Sequence, residues 1–357
     1  MAEFPTHPGE VAPDWLTERL HAAGALGVGE VTAVSWEAIG TGQVGDSARF
    51  HLTYDREGIG PATVAGKFPA ADAMSRGTAA AFGLYSKEVG FYRELAPQLD
   101  VRVPSVLAAE IAEDGVDFIL LFEDLGPARG GNQLVSCTHA DAEAAMRQAA
   151  ALHAPSWENQ AIIGASWLHP REGQVEQIKG LYSPAQAIFR ERYADLLEPE
   201  YMAVCEQLND AAGHWFGRDG TPKCLLHGDF RLDNMLFDIK GGAEPIAVLD
   251  WQTVAVGNAL TDIGYFMGTG IGNALREEHE DQLLDLYCAE MSARGVPLGR
   301  EEIWDNYVLG ALHGVSTAVF SAAYVERTTR GDANFLSMAR GGCALALAHG
   351  SLAKLVS

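Results

Sequence analysis

Three side chains in the second half of the sequence have the types and the spacing that phosphoryl transfer requires. Asp229 and Asn234 lie five positions apart in the segment HGDFRLDN, and Asp250 follows 16 residues later in VLDWQ. A carboxylate can orient an attacking hydroxyl, while amide and carboxylate oxygens can hold Mg²⁺ against nucleotide phosphates. The spacing from His227 through Asp229 to Asn234 is that of a kinase catalytic loop. Asp229 is therefore predicted as the catalytic group, with Arg231 as a source of positive charge for the transferring phosphoryl group.

Two further patterns in the first third of the chain fit the same chemistry. Gly40, Gly42 and Gly45 form a GxGxxG string whose flanking segments, VTAVSWEAI and DSARFHLTY, both have strand character. A glycine loop between two strands is typical of the flap over nucleotide phosphates in kinases, whereas a dinucleotide-binding loop joins a strand to a helix. Lys67 ends the apolar run ATVAGKF, and Glu88 follows on a predicted helix. We expect Lys67 to reach the phosphates and Glu88 to hold its ammonium group.

The elements that must position these residues change in type along the chain. Strand patterns occur in five segments, which are Val31–Ile39, Ser47–Tyr54, Ala62–Phe68, Val101–Glu110 and Asp117–Phe122. Apolar residues at steps of three and four predict a leading helix over residues 14–26 and a second helix over Ala79–Leu95. The first third is therefore predicted as a five-stranded antiparallel sheet with one helix inserted after its third strand.

Past Leu125 the pattern becomes mainly helical. Helices are predicted over Thr138–His153, Tyr193–Phe216, Leu275–Ala293 and Glu301–Tyr324, the first with a capping box of Thr138 and Asp141. Residues 224–252 are the exception, because two short apolar runs joined by Gly241-Gly242 predict a hairpin. The fold class is therefore predicted as α+β. Residues 1–124 are expected to form an N-terminal nucleotide-binding lobe, and residues 125–357 a helical lobe with the catalytic loop and the substrate pocket.

Charge and cysteine content exclude several classes of protein. The chain has 25 Lys and Arg against 48 Asp and Glu, a formal charge of -23, which argues against binding along a nucleic-acid backbone. The same charge would favour a cationic substrate through long-range steering. Five widely spaced cysteines without CxxC spacing indicate neither a zinc site nor a disulfide framework. We see no signal-peptide pattern and no membrane-length apolar run, so we expect a cytoplasmic protein without a membrane partner.

These patterns together resemble the aminoglycoside phosphotransferase superfamily, and within it the ecdysteroid-kinase-like and choline-kinase-like small-molecule kinases. The segments that carry the resemblance, in family order, are KEVGFYRELAP, VPSVLAAE, LLFEDLG, LHAPSW, HGDFRLDNMLF and VLDWQTVAVGNALTDIGYFM. They extend over most of the chain, and the block from HGD to DW is the most specific of them. Trp251-Gln252 stand where protein kinases have Phe-Gly, which argues against a protein substrate.

The resemblance implies a bilobal protein-kinase-like fold with ATP bound in the cleft between the lobes. It implies that Asp229 is the catalytic base and that Asn234 and Asp250 bind Mg²⁺. Lys67 and Glu88 match the pair that positions the phosphates. The implied activity is transfer of the γ-phosphoryl group of ATP to a hydroxyl of a small molecule, whose identity the sequence leaves open.

The resemblance also implies an adenine site. Glu123, Asp124 and Leu125 match the segment that connects the lobes in the family, where backbone groups would bind adenine. Three alternatives to the metabolite kinase stay open at this point. They are an antibiotic-inactivating kinase of the aminoglycoside type, a catalytically silent nucleotide-binding module, and a Rossmann-type dehydrogenase built on the GxGxxG string.

Overall fold

The computed structural model describes residues 4–40 and 44–357, apart from the side chain of Met74. These residues divide into two compact units. The first unit comprises Met1–Pro97, Val103–Pro127 and Leu249–Thr253, and the second comprises Gln98–Arg102, Ala128–Val248 and Val254–Ser357. Gly42 of the glycine string lies outside the described residues.

A five-stranded antiparallel sheet forms the centre of the first unit. Its strands, in the order β1-β2-β3-β5-β4, are β1 (Val31–Ile39), β2 (Gly45–Tyr54), β3 (Thr63–Pro69), β4 (Val106–Ile111) and β5 (Phe118–Glu123). Helix α1 (Pro13–Ala22) covers one face, where Leu16 and Leu20 are fully buried in a core that includes Phe68. The predicted five-stranded antiparallel sheet is therefore confirmed.

The pleat of β3 places Lys67 on the face opposite this core. Side chains alternate between the two faces of a strand, so the neighbour of the buried Phe68 must point away from α1. Helix α3 (Leu84–Gly90) lies on that opposite face, where the rings of Tyr85 and Phe118 are 4.5 Å apart. The Lys67 ammonium group and α3 therefore meet on the same side of the sheet.

The single helix predicted over Ala79–Leu95 is wrong, because the chain breaks at Gly83. Helix α2 (Ala73–Phe82) ends there and α3 begins immediately afterwards. Gly83 has φ of 67°, a left-handed conformation that glycine adopts without a Cβ penalty and that commonly ends helices. A wider turn over Phe91–Leu95 then closes the segment.

Helices make up most of the second unit, as the sequence predicted. They are α4 (His139–Ser156), α5 (Gln160–Ile163), α6 (Gln174–Tyr193), α7 (Pro199–Asp210), α8 (Ala212–Phe216), the single turn α9 (Ile239–Gly242), α10 (Leu260–Tyr265), α11 (Asn273–Ala293), α12 (Arg300–Tyr324), α13 (Thr329–His349) and α14 (Ser351–Val356). The capping box of Thr138 and Asp141 is confirmed at the start of α4. No helix among the described residues is long and apolar enough to cross a membrane.

One predicted helix of this unit differs from the structure. The segment Tyr193–Phe216 contains the end of α6, then α7 and α8, rather than one continuous helix. Pro199 begins α7, because proline lacks the N–H that an interior helical position needs and fits only in the first turn.

Five short strands surround the predicted catalytic loop. They are β6 (Arg129–Gly130), β7 (Cys224–Leu226), β8 (Met235–Asp238), β9 (Glu244–Val248) and β10 (Ala255–Gly257). The predicted hairpin is confirmed as β8 and β9, with Gly241 and Gly242 both at positive φ in the turn. Strand β7 pairs with β10, so the loop over residues 227–234 leaves one small sheet and enters the other.

Helices α10 and α12 approach each other through glycines. A Cβ on Gly310 would lie 2.1 Å from the carbonyl oxygen of Leu260, and one on Gly264 would lie 2.4 Å from the carbonyl carbon of Gly310. Only glycine at these positions permits so short a distance between the two backbones. The contact fixes α10, which carries Asp262 and Tyr265 toward the loop.

Candidate active site

Lys67, Glu88 and Asp250 form an ionic cluster within the first unit, hereafter the Lys67 cluster. Nζ of Lys67 lies 2.8 Å from Oε1 and 2.7 Å from Oε2 of Glu88. The same nitrogen lies 2.8 Å from Oδ1 of Asp250, a residue 183 positions away in the chain. The side chain of Glu88 is only 1% exposed, whereas that of Asp250 is 31% exposed. The structure thus brings the predicted pair of Lys67 and Glu88 together and adds Asp250 to it.

Burial and the neighbouring charges shift the pKa values of Lys67 and Glu88 in opposite directions. Burial alone would lower the pKa of Lys67, but the charges of Asp250 and Glu88 outweigh it and raise that pKa. Burial raises the pKa of Glu88, although the charge of Lys67 opposes the shift. Lys67 therefore remains an ammonium group, held between a buried and a partly exposed carboxylate.

The turn that carries Asp250 is fixed by its neighbours. Asp250 has φ of 65°, a left-handed conformation that is uncommon for residues other than glycine. The next residue, Trp251, is fully buried and stacks on Phe91 with ring centroids 3.8 Å apart. The amide of Gln252 donates to Oδ2 of Asp250 at 3.3 Å. The carboxylate is thus held in place on the turn after β9 by packing and by a hydrogen bond.

The glycine string joins two antiparallel strands. Strand β1, which precedes the string, pairs along Val31–Ile39 with strand β2, which follows the string. Gly40 has φ of 76°, and a Cβ on Gly45 would lie 3.2 Å from Cε of Lys67. The interpretation as a Rossmann-type dehydrogenase is therefore wrong, since its glycine loop would have to lead from a strand into a helix.

The predicted adenine segment has its side chains engaged within the first unit. Oε1 of Glu123 accepts hydrogen bonds from the backbone nitrogen and the hydroxyl of Ser105, at 2.8 and 2.9 Å. Asp124 accepts from Nε and Nη2 of Arg49, at 2.6 and 3.1 Å. Leu125 is buried. Binding of adenine by the backbone of this segment stays a prediction.

Asp229 is the centre of a second cluster, in the second unit, hereafter the Asp229 cluster. Nε of Arg231 lies 2.9 and 3.0 Å from the two carboxylate oxygens. The hydroxyl of Tyr265 donates to Oδ1 at 2.7 Å, and Nδ2 of Asn234 donates to Oδ2 at 2.8 Å. Nδ2 of Asn234 also donates to the backbone oxygen of Asp229 at 2.9 Å. The structure therefore brings Asp229, Arg231 and Asn234 together, and three side chains fix the carboxylate.

These contacts keep Asp229 ionised. Burial would raise its pKa, but the charge of Arg231 and the hydrogen bond from Tyr265 lower it to about 2. The paired charge of Asp229 raises the pKa of the Arg231 guanidinium despite its burial. The two side chains thus form an ion pair with a fixed carboxylate.

Hydrogen bonds to residues other than Asp229 also hold the guanidinium group of Arg231. Nη1 of Arg231 donates to Oε1 of Gln133 at 3.0 Å and lies 3.3 Å from Oδ2 of Asp233. The same oxygen of Asp233 accepts from Arg330 and from Asn334 on α13, each at 3.1 Å. The guanidinium group that was predicted to face a phosphoryl group is thus anchored by two carboxylates and an amide.

The backbone of the catalytic loop is held by buried side chains of α10 and α12. Asp262 is fully buried and accepts from the backbone nitrogens of His227 and Gly228, at 2.7 and 3.0 Å. His313 lies with Nε2 2.8 Å from the backbone oxygen of Gly228. Sequence reasoning missed Tyr265 and His313. Tyr265 has a detectable signal, because it follows Asp262 by one helical turn and must share its face.

Asn234 and Asp250 are the predicted metal ligands, and each is described within its own unit. Both side-chain hydrogen bonds of Asn234 use Nδ2, so its Oδ1 is the atom that can ligate a metal. Asp250 contributes a partly exposed carboxylate. Amide and carboxylate oxygens are the ligands that Mg²⁺ prefers. Among the described residues no group of three His, Cys, Asp or Glu side chains could hold a metal ion. Binding of Mg²⁺ by Asn234 and Asp250 stays a prediction.

Comparison with known protein sequences identifies the family of this chain. The sequence profile of the ecdysteroid kinase-like family matches residues 47–295, which include both clusters. Among curated proteins, acyl-CoA dehydrogenase family member 11 of Mus musculus is 49% identical over 45 residues, which are 13% of this chain and 6% of that protein. The matching stretch in the Rattus norvegicus protein is 34% identical over 80 residues, 10% of its length. The chain thus matches only a small part of these longer relatives.

Solved structures share the fold at low sequence identity. A candidate aminoglycoside phosphotransferase from Ralstonia eutropha superposes with a TM-score of 0.57 at 18% identity, covering 93% of this chain and 98% of that one. Choline kinase from Cryptosporidium parvum superposes with a TM-score of 0.52 at 12% identity, covering 89% of each chain. An aminoglycoside phosphotransferase bound to GDP and kanamycin gives 0.51 at 14% identity, covering 93% and 99%. The predicted superfamily and kinase-like fold are confirmed.

Proposed function

The chain belongs to the ecdysteroid kinase-like family, and we propose that this small-molecule kinase transfers the γ-phosphoryl group of ATP, with Mg²⁺, to a hydroxyl of its substrate. The acceptor oxygen forms a bond to the γ-phosphorus as the bond from phosphorus to the bridging oxygen breaks, and the hydroxyl proton is released. The observation that carries the proposal is the Asp229 carboxylate, fixed by Arg231, Asn234 and Tyr265.

Asp229 would accept a hydrogen bond from the acceptor hydroxyl and so aim its oxygen at phosphorus. A carboxylate with a pKa of about 2 is a weak base, so its main contribution is orientation rather than early removal of the proton. Arg231 keeps the carboxylate ionised and adds positive charge beside the reacting groups.

Lys67 would bind the phosphates of the nucleotide. Its ammonium group is held by the buried Glu88, so little side-chain freedom is lost when phosphate oxygens approach. Gly45 leaves the space above the Lys67 side chain free of a Cβ, which lets phosphate come close to the backbone. The backbone of Glu123, Asp124 and Leu125 is the proposed adenine site.

Asn234, through Oδ1, and Asp250 would hold Mg²⁺. When bound, the ion neutralises phosphate charge that the protein would otherwise have to offset alone. Oδ1 of Asp250 pairs with Lys67 at 2.8 Å, so Oδ2 would become available to a metal once the Gln252 amide moves away from it.

The proposed acceptor is a small molecule with a hydroxyl group. Solved structures of the same fold include a choline kinase and an aminoglycoside phosphotransferase bound to kanamycin, so a first panel should contain choline, aminoglycosides, hydroxylated steroids and hydroxy acids. Activity on aminoglycosides alone would favour the antibiotic-inactivating alternative. Nucleotide binding without turnover of any alcohol would favour the silent module.

The proposal is tested by ADP release on this panel with wild-type protein and two variants. Asp229→Asn should lower kcat by about 10²–10⁴-fold on any accepted substrate, the usual contribution of such a group. Asp250→Asn should remove the Mg²⁺ dependence of nucleotide binding. Asp238→Asn, an exposed carboxylate of the β8–β9 hairpin, is the control and should act like wild type. Full turnover by Asp229→Asn would refute the proposal.

A further inference from the structure

Arg218 combines two features that occur together in no other described arginine of this acidic chain. The chain has 48 acidic residues, and its arginines generally pair with carboxylates. Among the described residues Arg218 has no ion pair, and its Nε atom is buried without a hydrogen-bond partner. The neighbouring Asp219 pairs with Lys223 at 3.2 Å instead. A partly buried guanidinium group is thus left with its donors unused.

This arrangement destabilises the free protein. The guanidinium carbon of Arg218 lies 3.8 Å from the ring centroid of Trp215, which is itself buried. The aromatic face offsets part of the charge. Loss of water nevertheless lowers the pKa of Arg218 to about 10, with no carboxylate to compensate. A buried unpaired donor costs free energy, and that cost falls when an acceptor arrives with a ligand.

Arg218 follows helix α8, which contacts α12 where the ring of Phe216 lies 5.8 Å from that of Phe320. Burial lowers the pKa of His313, also on α12, and the positive charge of Arg218 lowers it further. His313 contacts the backbone oxygen of Gly228, and its ring centroid is 5.1 Å from that of Tyr265. Tyr265 in turn donates to Asp229 at 2.7 Å. A chain of direct contacts therefore leads from His313 on α12 to the proposed catalytic carboxylate.

Aromatic rings lie beside Arg218. Phe216, two residues earlier, is partly exposed and lies 5.8 Å from the ring of Phe320 on α12, which is also partly exposed. The buried ring of Tyr182 supports both, at 5.2 Å from each. His313 and Phe320 lie two turns apart on α12, so they share one face of this helix. The segment around Arg218 thus combines partly exposed aromatic rings with a guanidinium group that has no ion pair among the described residues.

We propose that Arg218 binds an anionic group, a carboxylate or a phosphate, of the acceptor whose hydroxyl is phosphorylated. The inference rests on the proposed kinase function and narrows its substrate class. A guanidinium group offers parallel N–H donors that match both kinds of anion. Phe216 and Phe320 would contact the apolar part of the same molecule. This acceptor differs in charge from choline and from aminoglycosides.

A matched series of probes tests the charge preference. The probes share one hydroxyalkyl chain and differ only at the far end: 6-hydroxyhexanoate, 6-hydroxyhexyl phosphate, the neutral 6-hydroxyhexanamide and the cationic 6-aminohexan-1-ol. Binding is measured by calorimetry with a saturating non-hydrolysable ATP analogue and Mg²⁺ present, so that the nucleotide phosphate site is filled. Turnover is followed separately with ATP by ADP release.

Arg218→Gln removes the positive charge. Arg218→Lys keeps the positive charge but lacks the parallel N–H donors of the guanidinium group. Wild type should bind one of the anions at least about tenfold more tightly than the amide, equal to about 1.4 kcal/mol. This preference should disappear in Arg218→Gln and be partly restored in Arg218→Lys. Arg190→Gln, which removes an exposed arginine paired with Glu206, is the charge-matched control and should keep the preference.

The outcomes separate this inference from the kinase proposal. Equal binding of anions and amide by wild type, or an anion preference that survives in Arg218→Gln, would overturn the inference even if turnover is found. An Arg218-dependent anion preference without turnover of any probe by wild type would keep the subsite and count against the kinase activity. The carboxylate and phosphate arms identify which anion fits.

Discussion

The Asp229 carboxylate receives hydrogen bonds from three side chains that come from different parts of the second unit. Arg231 and Asn234 belong to the same loop, while Tyr265 comes from α10. Together they hold both oxygens, and the charge of Arg231 with the hydrogen bond from Tyr265 lowers the pKa of the group to about 2 despite its burial. At the scale of single residues, the site therefore favours a carboxylate that orients a hydroxyl over one that captures a proton early.

Removal of the Tyr265 hydroxyl should weaken this orientation. Tyr265→Phe deletes the 2.7 Å hydrogen bond to Asp229 and leaves the ring in place. We expect kcat to fall by about tenfold, equal to about 1.4 kcal/mol, with KM for ATP unchanged. Steady-state kinetics measure both. Tyr193→Phe, which deletes a 2.6 Å bond to Asp332, is the control, and equal losses in the two variants would contradict the role of Tyr265.

The lowered pKa of Asp229 predicts a pH dependence of stability. The group ionises near pH 3.9 in the unfolded chain and at a pKa of about 2 in the folded one, so its contribution is complete above pH 4 and is lost as the pH falls toward 2. Its size is about 2 kcal/mol. Urea unfolding of wild type and Asp229→Asn should show a difference that narrows below pH 4. A difference that stays constant or widens would contradict the assigned pKa.

At the scale of helices and strands, the sequence predicts correctly the elements in which the local pattern of apolar residues is strong. Strand β1 and the ends of the long helices agree with the prediction, because alternation and helical spacing are strong there. The single helix predicted over Ala79–Leu95 is wrong because the left-handed conformation of Gly83 ends a helix there, although the apolar stripe continues past it. Helices α6 and α13 were missed. The start of α13 carries a local signal, because the Thr328 side chain caps it and Asp332 lies in its first turn.

The close contact of α10 with α12 predicts a large effect of one methyl group. In Gly310→Ala the new Cβ would lie 2.1 Å from the Leu260 oxygen, so the helices must separate. We expect a loss of about 1–3 kcal/mol in the free energy of unfolding, measured with urea.

Gly180→Ala is the matched control for this change. Gly180 is also inside a helix, α6, but a Cβ there meets no atom within 4 Å. This variant should be stabilised by about 0.5–1 kcal/mol, since alanine loses less backbone entropy. Equal stability of Gly310→Ala and Gly180→Ala would show that the close contact does not hold α10.

Contacts between residues that are far apart in the sequence limit how much of the site can be predicted from the sequence. Lys67 with Glu88 and Asp229 with Asn234 were predictable, because order and spacing identify them. The contact of Lys67 with Asp250 joins residues 183 positions apart, and no local pattern indicates it. Arg218 has no motif at all. Its significance comes from a missing carboxylate, which only the folded environment shows.

At the scale of the whole molecule, the net charge of -23 repels anionic ligands. Salt shortens the reach of this repulsion from about 30 Å at 0.01 M to about 8 Å at 0.15 M, while short contacts inside the site are screened less. We therefore expect KM for ATP to fall as salt rises over this range. Steady-state kinetics at fixed free Mg²⁺ measure the effect, and a KM that rises throughout would contradict it.

The most direct test of the account is transfer of radiolabelled phosphate from [γ-³²P]ATP to a hydroxylated acceptor by purified protein. We predict a labelled product that requires Mg²⁺, forms with wild type and Asp238→Asn, and forms at least about 10²-fold more slowly with Asp229→Asn. Label that appears only as inorganic phosphate across the whole panel of acceptors, or product that forms equally with Asp229→Asn, would contradict the proposed phosphotransferase.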